Sequence, residues 1–122
     1  MKIKTMLKKD RLKRKIRIRS KISGSESRPR ISVFRSNRYI VAQAINDVKM
    51  ITIAFSTEVE LKPELKKDKQ TKIERAKLVG KNLAEKLTKL GIKTAVFDRS
   101  GYRYQGRVEA LAQGIRVGGI QI

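Results

Sequence analysis

Positive charge is crowded into one end of this 122-residue chain, and that crowding decides where a fold can form. Fifteen of its 31 Lys and Arg residues lie at or before Arg38, where the acids are Asp10 and Glu26 alone. Lys8, Lys9, Arg11, Lys13, Arg14, Lys15, Arg17 and Arg19 surround only Leu7, Leu12, Ile16 and Ile18. So few apolar groups cannot build a core, and the segment is expected to stay disordered or frayed until it turns helical against a partner. Ser23-Gly24-Ser25-Glu26-Ser27 reads as a linker that Pro29 closes. The chain thus divides into a basic arm (1–22), a linker (23–29) and one domain (30–122), which its length allows.

A formal net charge of +20 calls for a polyanionic partner, because like charges repel across a compact surface. Phosphate backbones are the commonest, since neutralising them releases condensed counterions. An anionic membrane surface is the competitor. No apolar run approaches the roughly 20 residues that span a bilayer, and Met1-Lys2-Ile3-Lys4 lacks the apolar core of a secretory signal. The Arg-rich start shares its scarcity of acids with organellar transit peptides, but those are also Ser-rich and this segment has Ser20 alone.

Catalysis has little to work with. The absence of Cys and His excludes disulfides, thiolate and imidazole metal sites and the commonest general base. The eleven acids are scattered among lysines, and no pair stands out as acid and base. Gly80-Lys81-Asn82 lacks the earlier Gly and following Ser or Thr of a phosphate loop, and reads as a close-packing position. The reading is of a non-enzyme with no metal, no cofactor and no small-molecule substrate.

The body begins with three strand-like runs. Arg30–Arg35 and Tyr39–Ile45 flank a turn at Asn37, and Lys49–Phe55 follows a turn through Asn46-Asp47. Short turns predict an antiparallel meander. After a polar stretch over Glu58–Lys69, Thr71 and Glu74 have the spacing of a capping box. Ile73, Ala76, Val79, Leu83, Leu87 and Leu90 then form one helical stripe, stopped at Gly91. Thr94–Phe97 gives a fourth strand, parallel after the crossover helix. Val108, Leu111, Ala112 and Ile115 make a second helix that ends near Gly118-Gly119. The expectation is an α+β fold of order β-β-β-α-β-α: a mixed four-stranded sheet with two helices.

Two loops carry candidate RNA contacts besides the arm. In Arg35-Ser36-Asn37-Arg38-Tyr39 the guanidiniums suit phosphates, the Ser and Asn suit sugar or base edges, and Tyr39 offers a stacking face. An ordinary polar hairpin turn would read the same way. In Asp98-Arg99-Ser100-Gly101-Tyr102-Arg103-Tyr104-Gln105-Gly106-Arg107, three Arg and two Tyr accompany glycines that let backbone approach a ligand. The alternative is a connection whose tyrosines pack on the helices. Asp98 is expected to cap the turn or to orient an Arg.

The run Val96-Phe97-Asp98-Arg99-Ser100-Gly101-Tyr102-Arg103-Tyr104-Gln105-Gly106-Arg107-Val108-Glu109-Ala110-Leu111-Ala112 resembles the C-terminal signature of the bacterial large-subunit ribosomal protein L-eighteen family. Arg28-Pro29-Arg30-Ile31-Ser32-Val33-Phe34-Arg35 with Ser36-Asn37-Arg38-Tyr39 looks like that family's first hairpin. The resemblance implies a cytoplasmic ribosomal protein that binds 5S ribosomal RNA and helps attach it to 23S ribosomal RNA in the central protuberance, beside neighbouring large-subunit proteins and with no membrane. It carries RNA contacts over to the basic arm, Lys8 through Arg19, and to Arg35, Ser36, Asn37, Arg38, Arg99, Tyr102 and Arg107; Arg28, Arg30, Tyr39, Ser100, Gly101, Arg103 and Tyr104 are further candidate RNA contacts beside them. The chain departs from the family's habit in lacking histidine near Arg38 and Gln105 and in ending on Ile122.

Overall fold

Alternation along the strands sorts the side chains onto two faces of one sheet. The computed structural model describes residues 10–17, 22–37, 39–65 and 71–122. Within these, β1 (Arg30–Arg35), β2 (Ile40–Asn46) and β3 (Ile51–Thr57) run antiparallel, and β4 (Val96–Asp98) lies parallel to β1. The strand order is β3-β2-β1-β4, the mixed four-stranded sheet that the sequence predicts. Ile31, Val33, Ile40, Ala42 and Ala44 are buried on one face, whereas Phe34 and Phe55 stand exposed.

The buried face is covered by α3 (Lys72–Lys89) and α4 (Arg107–Val117), which contribute Ala76, Val79, Leu83, Leu87, Val108, Leu111 and Ile115 to the core. Thr71 and Glu74 form the expected capping box, each side chain accepting from the other residue's backbone N–H. Gly80 has the close-packing role read from the sequence. A Cβ there would stand 2.2 Å from the Leu111 carbonyl oxygen, and one at Gly114 would stand 2.1 Å from that of Lys77. The two helices therefore cross backbone to backbone through reciprocal glycines. The ends of the α3 stripe depart from expectation, since Ile73 and Leu90 are exposed.

The structure differs from the sequence reading in four respects. Strands β2, β3 and β4 begin one or two residues later than expected. After β2, the Asn46 side chain accepts from the N–H groups of Val48 and Lys49, and Met50 adopts a positive φ of 56°, so the turn extends to residue 50. Among the described residues the helices number four rather than two. Helix α2 (Glu58–Leu65) occupies part of the stretch read as polar connection, with Thr57 accepting from Glu60 N–H at its start. It has no apolar stripe; polar contacts of Glu58 and Glu60 with other elements, with Leu61 packed against the core, hold it. Finally, residues 10–17 of the arm already form a helix, α1, whose partner is the chain's own loop after β4.

Candidate nucleic-acid interface

The loop between β4 and α4 organises the basic residues into two different settings. In the first, Asp98 at the end of β4 is fully buried. Its Oδ1 accepts from Ser100 N–H at 2.8 Å, and its Oδ2 accepts from Arg30 Nη1 at 2.7 Å. Both expected roles of Asp98, turn cap and arginine anchor, thus belong to one carboxylate. Arg30 also donates through Nε and Nη2 to Asp47, at 2.9 and 3.0 Å. The Asp47 hydrogen bonds raise the Arg30 pKa above its ordinary value; burial opposes the rise and Asp98 adds to it. Gly24 N–H donates to the same Asp47 carboxylate, so the clamp ties the segment before β1 to the β2–β3 turn and to β4.

The second setting surrounds Tyr102, whose side chain is buried with the core. Its hydroxyl accepts from Arg11 Nη1 at 2.9 Å and from Arg35 N–H at 3.2 Å, and donates to the Arg35 carbonyl at 3.1 Å. The Arg11 and Arg35 guanidinium carbons lie 4.9 and 5.0 Å from the ring centroid, within the range of cation–π attraction. Gly101, at φ +80°, admits the α1 backbone: a Cβ there would meet the Arg11 carbonyl oxygen at 2.4 Å. Arg14 Nε donates to the Gly101 carbonyl at 3.0 Å. Arg11, Arg14, Arg35 and Arg103, with Gln105, line a cleft of about 320 Å³ beside this tyrosine. Among the described residues, none of these four guanidiniums makes an ion pair.

The remaining expected contacts divide between these settings. Lys8, Lys9, Arg19 and Arg38 lie outside the described residues. On α1, Lys13 and Arg17 are exposed and Lys15 is half-buried. Arg28 is exposed at a shallow cleft with Thr94, Gln121 and Ile122, away from the others. Arg30, Ser100 and Tyr102, read as contacts, are interior: Arg30 is clamped, Ser100 shares a hydrogen bond with Ser32, and Tyr102 supports arginines. Arg99 donates to the Tyr102 carbonyl, and Arg107 donates to the Ser36 carbonyl and to Glu58. Both brace the loop from within. Ser36 closes the hairpin by exchanging bonds with Tyr39, whose ring is partly exposed, and the Asn37 carbonyl accepts from Lys72. Exposed Tyr104 packs edge-on against Phe97 and accepts from Arg116. Asp47 and Glu58 escaped the sequence reading, since no local pattern marks an acid whose partner lies far along the chain; Gln105 lay within the loop singled out but was not among the expected contacts.

Among the described residues there is no group of His, Cys, Asp or Glu placed to hold a metal, and no helix long and apolar enough to cross a membrane. Residues 5–122 match the family described as "Ribosomal L18 of archaea, bacteria, mitoch. and chloroplast". The chain belongs to the ribosomal L18 family. Large ribosomal subunit protein uL18 of Desulforudis audaxviator is 46% identical over 121 residues, 97% of each chain. The proteins of the same name from Syntrophus aciditrophicus and Lactobacillus johnsonii are 48% and 50% identical, over 93% and 91% of each chain. As a member of the L18 family, this chain is a structural protein of the large ribosomal subunit and not an enzyme. The match includes α1, so the helix that docks on the Tyr102 loop lies within the part that defines the family.

Proposed function

We propose that this chain binds 5S ribosomal RNA and helps attach it to 23S ribosomal RNA in the central protuberance, within the cytoplasmic ribosome and beside neighbouring large-subunit proteins. In this reading residues 1–22 act as a basic arm and the folded body presents the hairpin and the loop after β4. One observation carries it: arginines from α1, β1 and the loop after β4 converge on one cleft with no carboxylate among the described residues paired to them. A phosphate backbone supplies the missing charge, and a folded frame supplies shape selectivity that a charged tail alone lacks.

A salt titration of binding to 5S RNA, a transfer RNA and a duplex DNA of similar length tests this. The expected result is a preference for 5S RNA that persists as salt rises. Equal affinities that collapse together would make the chain a general basic nucleic-acid binder and overturn the 5S assignment.

A further inference from the structure

We infer that the cleft beside Tyr102 is a preformed seat for one backbone phosphodiester of RNA, with Tyr102 as its positioning residue. This rests on the reading that the chain binds RNA and adds where and how one linkage is held.

The cleft gathers cations from parts of the chain that are distant in sequence. Arg11 and Arg35 reach Tyr102 across 91 and 67 residues. Bringing guanidiniums together costs Coulomb energy, which a tyrosine face and hydroxyl reduce without adding opposite charge. A carboxylate would hold the same arginines more tightly but would repel the anion they are to bind. Tyrosine orders them and leaves their charge available.

The hydrogen-bond inventory points the same way. Among the described residues Arg14 is held through Nε alone, which leaves both of its Nη groups for a ligand. Among the same residues Arg35 hydrogen-bonds through its backbone only, and so does Arg103, whose carbonyl accepts from Gln105 N–H, so both guanidiniums are without a hydrogen bond. Several donors from different directions around one space suit a group with several acceptor oxygens, and planar guanidinium forks match phosphate geometry. Gln105 lines the same cleft and offers an amide to the adjoining sugar hydroxyl. Tyr102 is only 7% exposed, so it acts through Arg11 and Arg35 rather than by stacking on a base.

The test uses the full chain as wild type, Tyr102→Phe, Arg35→Ala and the double variant. Affinity for 5S RNA and for transfer RNA is measured across a salt series, with a thermal melt of each protein. Tyr102→Phe keeps the ring and removes the hydroxyl. It is expected to weaken binding about tenfold through lost preorganisation, and to flatten the salt slope by about 0.7–0.9, one phosphate contact. Arg35→Ala is expected to flatten the slope similarly. The double variant should bind little worse than the worse single one, because both act on the same seat. A wild-type slope in Arg35→Ala overturns the seat whatever Tyr102→Phe does to the melt. Fully additive losses overturn the positioning role. The outcomes separate from those of the 5S assignment. Absence of 5S preference in the wild type sinks that assignment, while the slope changes, read on transfer RNA as well, still decide the seat.

Discussion

The Arg30 clamp and the Tyr102 cleft are both made of arginines gathered by the loop after β4, yet they are chemical opposites. Arg30 meets Asp98 at 2.7 Å and Asp47 at 2.9 Å, and almost none of it reaches solvent. Arg11 and Arg35 rest on an aromatic ring and meet no carboxylate among the described residues. In a chain with 31 cations and 11 acids, most cations must go without a partner. Arg30 and Arg107, both largely buried, are matched to buried acids and hold the fold; those matched to tyrosine are ordered and remain charged toward solvent. The partner, rather than the arginine, assigns the role.

The largest effect expected from this contrast is on stability. Asp98→Ala leaves the Arg30 guanidinium in the interior with Asp47 alone and removes the acceptor for Ser100 N–H. Breaking a buried pair from one side costs about 3–5 kcal/mol, and urea unfolding of the variant should show a loss of that size. Tyr102→Phe should cost only about 1 kcal/mol, the scale of one hydrogen-bonding hydroxyl. If the two losses came out equal, the cleft would be a structural clamp like the other and the contrast would fail.

What the sequence disclosed follows the range of the interactions. Strand alternation and the Thr71–Glu74 capping box act over a few residues or one helix turn, and each was legible; Gly80 was legible by residue type alone, although the Leu111 carbonyl it admits lies on another helix. The arm, the hairpin and the loop after β4 were legible as basic segments because residue type alone marks them. The inward turn of Arg30 was not, because its partner Asp98 lies 68 residues away and no pattern links them. Docking of α1 was hidden for the same reason. A helix with few apolar residues reads as solvated unless the Gly101 notch that receives its backbone is known. Helix α2 lacks an apolar stripe, so the periodicity that found α3 and α4 had nothing to detect.

A pair of substitutions within one loop tests the contrast at closer range. Arg107→Ala strips the Ser36 carbonyl of its donor and leaves the buried Glu58 carboxylate without its cation. A loss of about 2–4 kcal/mol is expected, with RNA affinity per folded molecule little changed. Arg103→Ala removes an exposed cleft arginine and should shift stability by no more than about 0.5 kcal/mol. Its expected signature is weaker RNA binding with a flatter salt slope. Unfolding curves and binding isotherms on both variants decide the matter. Exchange of the two phenotypes would show that carboxylate pairing does not sort the arginines of this loop.

The smallest expected effect asks whether pairing suffices or burial is also needed. Lys86 and Glu60 meet at 2.7 Å, as short as the Arg30–Asp98 contact, but their side chains are 32% and 41% exposed. Lys86 also donates to the Phe55 carbonyl and lies over the Phe55 ring, so Glu60 is the cleaner member to change. Glu60→Gln removes the charge and keeps the shape. Solvent already screens this pair, and both side chains lose freedom in forming it, so the expected loss is about 0.5 kcal/mol and shrinks further with added salt. A loss approaching that of Asp98→Ala would mean that the ion pair alone fixes structure wherever it forms. The small loss would place the distinction in desolvation: Arg30 needs its acids because water cannot reach it, whereas Lys86 can exchange Glu60 for solvent.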